Sequence, residues 1–547
     1  MSASLIQHTP SAYDYPLLIK HLLHTPLATV PEQEIVYRDI YRYTYRTLRQ
    51  RIGRLASGLA GLGVRSGETV AVMDWDSHRY LECYFAVPMM GAVLQTVNIR
   101  LSPEQILYTL NHAGANVILC HTDFLPVLDS IKDRLETANT FILLSDEGER
   151  PQSSATFAAE YEDLLARSAQ DFDFPDFDEN ARATTFYTTG TTGNPKGVYY
   201  SHRQLVLHTL AVLGALASTP GNQSFHRGDV YMPITPMFHV HAWGLPYVAT
   251  AMGVKQVYPG RYMPDTLLSL IKQEKVTFSH CVPTILHMLL TSPGASDFDW
   301  SRWKVVIGGS ALPKGLAKLA LDKGINIFGG YGLSETCPVL SIAQLKPGMT
   351  ELDADTQLDY LTKAGLPVQL VDLRIVDEHM QDVPHDGKTS GEVVVRAPWL
   401  TQGYLHEPTN SEDLWLGGYM HTRDIGTIDP EGYLLITDRI KDVIKSGGEW
   451  ISSLAIEDII SQHSGVSEVA VIATSDPKWG ERPLALIVLK EESKGIVTEE
   501  HIQAHVKVWA EEGVISKWAV PEVRFVDKLE KTSVGKLDKK VMRQMNV

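Results

Sequence analysis

The chain has 547 residues, 44% of them hydrophobic and 21% charged, with a formal net charge of −16. That length exceeds one ordinary core, so at least two domains are expected. The acidic balance argues against nucleic acid or an anionic lipid surface as a general partner, and any polyanion must bind at a local, shaped positive patch.

No run approaches 18 uninterrupted apolar residues, so no transmembrane segment is expected. The N-terminus lacks a basic start followed by an apolar core, so no signal peptide is expected either. Cys83, Cys120, Cys281 and Cys337 stand far apart, without zinc spacing, and read as free thiols of a cytoplasmic protein.

Along residues 34–180, helix-like stretches such as Leu48–Leu62 alternate with short apolar runs such as Thr69–Asp74 and Asn116–Cys120. Further runs follow at Lys255–Gly260, Val276–Pro283 and Trp303–Ala311. Strands alternating with helices predict an α/β body with largely parallel sheets, whose ligands bind at the carboxyl ends of the strands. After about residue 365 the texture changes to short strands around polar turns. A compact tail follows, with strands predicted at Val466–Thr474 and Arg482–Lys490 and an amphipathic helix at Glu499–Glu512. The boundary falls at Asp438–Lys441. The predicted organisation is a large domain over 1–437, a hinge over 438–441 and a small domain over 442–547.

The stretch "TTGTTGNPKG" (Thr188–Gly197) joins two predicted strands. It does not fit G-x-x-x-x-G-K-[ST], because Pro195 stands at the second glycine and Gly197 follows Lys196. Its hydroxyls and glycine amides suit phosphate oxygens and Lys196 adds a point charge, while the same composition also suits a hairpin turn without a ligand. Next, "SHRQ" (Ser201–Gln204) is a capping box opening a helix.

Three later segments offer matching chemistry. "YGLSET" (Tyr331–Thr336) brings an aromatic face, a glycine, a hydroxyl and a carboxylate that suits a hard divalent cation. "HTRDIG" (His421–Gly426) carries Asp424, a carboxylate suited to a ribose diol, and "KTSVGKLDKK" (Lys531–Lys540) carries Lys536 on a Gly/Ser loop. Standing alone, each also reads as a helix cap, a salt bridge or a solvated face.

With these four segments in this order, the chain resembles the adenylate-forming superfamily of acyl- and aryl-CoA ligases, adenylation domains and luciferases. "PMFHVHAWGLPY" (Pro236–Tyr247) and "IKSGGEWIS" (Ile444–Ser452) look like the medium- and long-chain fatty acyl-CoA synthetases. The resemblance implies a large α/β domain with two mostly parallel sheets flanked by helices and a small β subdomain, then a small mobile α+β domain. It implies a two-step reaction with Mg²⁺ and with ATP and CoA as co-substrates: carboxylate and ATP give acyl-AMP and pyrophosphate, then CoA releases AMP. A homodimer is implied weakly.

Residue by residue, the resemblance places the β- and γ-phosphates on Thr188, Thr189, Gly190, Thr191, Thr192, Gly193 and Lys196, with Thr188 and Glu335 at Mg²⁺. Gly309, Gly330, Tyr331 and Ser334 would frame the nucleotide, Asp424 would take the ribose with Arg439 beside it, and Lys441, Lys445 and Trp450 would lie near the adenylate. Lys536, Glu335 and His239 would be the catalytic set. The acyl group would meet His239, Val240, Trp243, Gly309 and Gly329, with Trp243 as a gate, and pantetheine would pass Gly447 and Gly448. Asp438 would be the pivot of the hinge.

Three positions depart from the family pattern: Arg423 where glycine is usual, Gly329 where close relatives often carry glutamine, and His241 for asparagine. The expected acid is a medium- to long-chain fatty acid. The alternatives are a short thioether acid of the methylmercaptopropionate kind, an aryl acid, or transfer of the acyl group to a carrier protein.

Overall fold

Two mostly parallel sheets form the body of the large domain, as the alternation of helices and short apolar runs predicts. The computed structural model describes residues 3–146, 152–188, 194–219, 221–296, 298–446 and 449–545, the side chains of Glu449 and Trp450 excepted. Thr189, Gly190, Thr191, Thr192, Gly193, Gly447, Gly448 and the Trp450 side chain lie outside the described residues.

One sheet has seven strands in the order Phe157–Glu160, Thr140–Leu144, Ala115–His121, Thr69–Met73, Val93–Thr96, Arg182–Tyr187, Gly197–Ser201. Only its last pair is antiparallel. Every residue of Thr69–Met73 is buried, which is why the strand reads as a continuous apolar run rather than an alternating one. The helix predicted at Leu48–Leu62 forms over Tyr45–Gly61, where the Thr44 hydroxyl accepts the Thr47 N–H as an N-cap.

The second sheet has nine strands. Asn326–Gly332, Lys304–Ile307, Phe278–Cys281, Val230–Pro233, Lys255–Tyr258 and Glu34–Tyr37 run parallel, and antiparallel strands close both edges. The carboxyl ends of the central strands bring together Gly308–Gly309, Gly330–Gly332 and the segment leading to His239. This is where open α/β sheets bind ligands.

The expected small β subdomain is a four-stranded antiparallel sheet of Asp372–Val376, Gly391–Arg396, Met420–Ile428 and Leu434–Arg439. Its last strand includes Asp438 and Arg439, the first half of the expected hinge, and the next strand begins at Ile444. Asp438 is buried and accepts the Ser453 N–H at 2.7 Å, so it also caps the first helix of the small domain, Ser453–Ser461.

The small domain packs a five-stranded sheet against that helix and Glu499–Glu511. The two predicted strands form at Val466–Asp476 and Gly480–Leu489. Its core is its own, built on residues such as Ile456, Ile460, Val471, Ile487 and Ile502. Among the described residues no helix is long and apolar enough to cross a membrane.

Candidate active site

The phosphate-loop ends are held by their own backbone. The Thr188 N–H donates to the Lys196 carbonyl at 2.9 Å, and the Lys196 N–H donates to the Thr188 hydroxyl at 3.2 Å. The Lys196 ammonium lies 4.5 Å from the centre of the Tyr404 ring, and the Tyr404 hydroxyl donates to Glu335 Oε1 at 2.7 Å. Lys196, Tyr404 and Glu335 thus form one chain of contacts.

Glu335 sits on a short turn, Ser334–Thr336, fixed from two sides. The Tyr200 hydroxyl donates to the Ser334 carbonyl at 2.6 Å and the Thr401 N–H to the Glu335 carbonyl at 3.0 Å. Gly332 is required there, because a Cβ would stand 1.8 Å from the Pro338 carbonyl oxygen.

Asp424 and Arg439 are cross-strand partners in the antiparallel sheet. Asp424 accepts from the Tyr331 hydroxyl at 2.7 Å and from Arg439 Nε at 3.2 Å. Burial pushes its carboxyl up from the usual range, and the neighbouring Arg439 pulls against that. Arg423 has φ 60°, the left-handed region that favours glycine. The arginine therefore sits on a backbone shape suited to glycine, at a cost of about 1–2 kcal/mol.

Lys536 enters from the small domain. Gly309, at φ 79°, leaves room for it: the Cβ position there is 3.0 Å from Lys536 Cε and 3.6 Å from its Nζ. Burial, then the positive charge of Arg439, lowers the lysine to about 8, while Asp424 and Glu335 oppose the shift.

Lys536, His239 and Tyr331 flank a cavity walled by Val212, Leu216, Val306, Val339 and Ile342. About 40 Å³ of it is wide enough to admit water, room for a few molecules and not for a long acyl chain. Burial, with Lys536 and Arg100 nearby, holds His239 down at about 3, so at neutral pH it is an uncharged imidazole.

Trp243 closes the cavity. Its indole rests on Gly308, whose Cβ position is 3.1 Å from the ring, and lies 5.0 Å from the His280 ring. Val240, His241, Ala242, Trp243 and Gly244 have φ of 48°, 54°, 47°, 59° and 73°, a complete left-handed turn. Each non-glycine residue there costs about 1–2 kcal/mol, so the surroundings must impose the turn.

They do so from several directions. The His241 Nε2 pairs with the Thr184 hydroxyl at 2.7 Å, and the His208 ring packs so closely on Gly244 that a Cβ would sit 2.8 Å from it. Just upstream, Asp76 accepts the Met237 N–H at 2.9 Å, the Thr96 hydroxyl donates to the Phe238 carbonyl at 2.9 Å, and the Tyr84 hydroxyl donates to the Met237 carbonyl. All three braces come from the seven-stranded sheet and its connections. Asp76 also accepts from Tyr262, and burial pushes its carboxyl up to about 7.

The family of AMP-binding enzymes matches residues 24–405, and the C-terminal domain of such enzymes matches residues 455–536. The chain belongs to the AMP-binding enzyme family. It is 41% identical to a long-chain-fatty-acid–CoA ligase of Thermus thermophilus, over 97% of this chain and 96% of that one. It is 35% identical to a 3-methylmercaptopropionyl-CoA ligase of Ruegeria lacuscaerulensis, over 96% and 97%. Its fold is similar to that of the anthranilate CoA ligase AuaEII solved with anthranoyl-AMP, with a TM-score of 0.84 at 24% identity, covering 97% of this chain and 98% of that one.

In this AMP-binding enzyme the structure ties Thr188 to Lys196, links Lys196 through Tyr404 to Glu335 beside Ser334, and joins Tyr331, Asp424 and Arg439. Lys536, Gly309, Gly330, His239, Val240 and Trp243 stand together around the cavity. Gly329 does not line it, and a Cβ there would point at the Lys363 carbonyl oxygen, 2.3 Å away. Lys441 and Lys445 follow the subdomain strand, are exposed and do not line the cavity, and Lys445 pairs with Trp450 across two antiparallel strands.

Sequence reasoning missed Tyr404, Gly308, Asp76 and the apolar walls, because all of them meet the site through contacts distant in sequence. A larger opening of about 530 Å³ lies elsewhere, near Arg38, Trp75 and Asp146. It shares no lining residue with the cavity, and its Asp146 is already held by Arg79 at 2.8 Å.

Proposed function

We propose that this acyl-CoA ligase activates a medium- to long-chain fatty acid in two steps. In the first, a carboxylate oxygen of the acid attacks the α-phosphorus of ATP, the bond to the bridging oxygen breaks, and pyrophosphate leaves. In the second, the CoA thiol attacks the acyl carbonyl, loses its proton, and AMP leaves.

The observation that carries the fatty-acid reading is the apolar wall behind Trp243, where Val212, Leu216, Val339 and Ile342 offer no polar group to a substrate. The kinship with the Thermus ligase supports it. Lys536 would bring positive charge to the α-phosphate and the acid carboxylate, where a fixed cation in a dry site acts more strongly than in water. Asp424 would hold the ribose hydroxyls, Tyr331 and Gly309 would frame the adenine, and Thr188 with Lys196 and the rest of its loop would grip the departing pyrophosphate.

Magnesium fits the donors at hand. Glu335 and the Thr188 hydroxyl are hard oxygen ligands, and among the described residues no cluster of three or more His, Cys, Asp or Glu forms a closed protein cage. Mg²⁺ commonly binds that way, through one carboxylate with phosphate oxygens and waters, and it supplies charge neutralisation on the polyphosphate. A cytoplasmic location is proposed on the four free, buried cysteines. A homodimer is proposed on family resemblance. In the second step the small domain would turn about the segment after Arg439 and present Gly447 and Gly448 to pantetheine, with Lys441, Lys445 and Trp450 near the adenylate.

One observation favours a second reading. The small open volume suits a short acid such as 3-methylmercaptopropionate, the substrate in the name of the Ruegeria relative. Profiling CoA-dependent AMP release across saturated acids from acetate to palmitate, and with 3-methylmercaptopropionate, separates the two. Turnover is expected to peak between octanoate and palmitate. Turnover with the thioether acid and none with octanoate or longer acids rejects the fatty-acid reading.

Trp243→Ala tests the gate. Without the indole, fatty acid binding measured calorimetrically is expected to become independent of ATP, whereas the parent protein binds the acid well only with ATP present. If both proteins bind the acid equally with and without ATP, Trp243 is a wall and not a gate.

A further inference from the structure

Lys536 reaches the cavity across a seam between the two domains. In it the helix Lys314–Asp322 of the large domain meets the end of the helix Ser453–Ser461 of the small domain. At Gly315 a Cβ would lie 2.2 Å from the Ser461 carbonyl oxygen and 2.9 Å from its carbonyl carbon. Both are backbone atoms, so no rotamer change relieves the overlap and one helix must move. Beside it, the Lys314 N–H donates to Asp458 Oδ1 at 2.9 Å.

The loop bearing Lys536 is clipped separately. The Thr284 hydroxyl donates to the Gly535 carbonyl at 2.8 Å, Asn98 Nδ2 to the Ser533 hydroxyl at 3.0 Å, and Arg100 to the Ser533 carbonyl at 3.0 Å.

We propose that Gly315 is a positioning residue for adenylation: its missing side chain sets how closely the small domain docks, and so whether Lys536 reaches the reacting groups. The proposal rests on the two-orientation reading above and extends it to a residue with no contact to ATP or acid. Gly315 is the second residue of its helix and is not in the left-handed region. Alanine suits a helix better than glycine, so Gly315→Ala does not harm the large domain itself. The added methyl acts where the two backbones touch.

The test separates the half-reactions in the full chain: ATP–pyrophosphate exchange for the first, and thioester formation from supplied acyl-AMP and CoA for the second. In Gly315→Ala, exchange is expected to fall about 10- to 100-fold, the scale on which a misplacement of about 1 Å acts. Thioester formation stays within about twofold of the parent and the melting temperature does not drop. The clip variant Thr284→Val is expected to show the same selectivity with a loss of about threefold to tenfold, and it decides the matter if Gly315→Ala fails to fold.

Exchange unchanged in the folded variants, with Lys536→Ala still selectively impaired in exchange, overturns the seam and leaves the two-orientation reading standing. Equal loss of both half-reactions in Lys536→Ala overturns that reading and the seam with it.

Discussion

Replacing Lys536 with alanine is expected to lower acyl-AMP formation by about 10²–10³-fold or more while leaving thioester formation from supplied acyl-AMP close to that of the parent. The magnitude follows from the setting. The ammonium sits beside Gly309 in the lining of a largely apolar cavity, where a fixed cation acts more strongly than in water.

The pH dependence carries the same signature. Burial, reinforced by Arg439, lowers the lysine to about 8. The charged form is the active one in the proposed mechanism, so kcat/KM for adenylation is expected to be full below that value. It then falls about tenfold per pH unit as pH rises well above it. Bound ATP adds negative charge and moves the corresponding limb of kcat upward. Lys536→Ala removes the limb. Exchange kinetics across pH 6 to 10 check both points, and a limb that persists unchanged in the alanine variant assigns it to another group.

Asp424→Asn is the second substitution with a large expected effect: KM for ATP rises roughly 10- to 100-fold, with a smaller change in kcat. Asp424 accepts from Tyr331 through one oxygen and from Arg439 through the other. An amide keeps the shape but loses the buried charge that faces the Arg439 guanidinium and would accept from the ribose hydroxyls. Hydrogen bonds to charged groups contribute about 1.5–3 kcal/mol, the source of the range given. Initial-rate ATP titrations of exchange measure it. An unchanged KM removes Asp424 from nucleotide binding and reduces it to a strand-to-strand tie.

The motifs of this site were legible in the sequence because each carries its chemistry within a few residues. Tyr331 and Glu335 lie on one strand-and-turn unit, Asp424 on one strand, and Lys536 on one loop. The fold brings Tyr331 and Asp424 into contact and sets Lys536 within reach of the charges of Asp424 and Glu335. The departure at Arg423 was visible as a residue type, but its meaning was not. A positive φ is a property of the backbone path, and the arginine letter gives no sign of it.

The same limit hid the turn that aims Trp243. "VHAW" has the composition of an ordinary buried helix, yet the structure winds it left-handed. Thr184 and His208 hold it from positions far away in the chain.

The sequence by itself determined the fold class, the order of the elements and the chemical types at the reaction centre. Strand and helix periodicity, turn residues and motif spacing are local, and they survive without knowledge of any distant partner. Only the tertiary structure decided which way Trp243 points, that Gly308 and not Gly329 faces it, and that Asp76 braces the His239 segment. It alone brings Gly315 against the Ser461 carbonyl, the contact on which the proposed docking of Lys536 rests. Each of these rests on close contact between residues far apart in the chain, from 34 positions for Gly329 and Lys363 to 161 for Asp76 and Met237. Such contacts are fixed by packing and by buried hydrogen bonds, which no window of neighbouring residues contains.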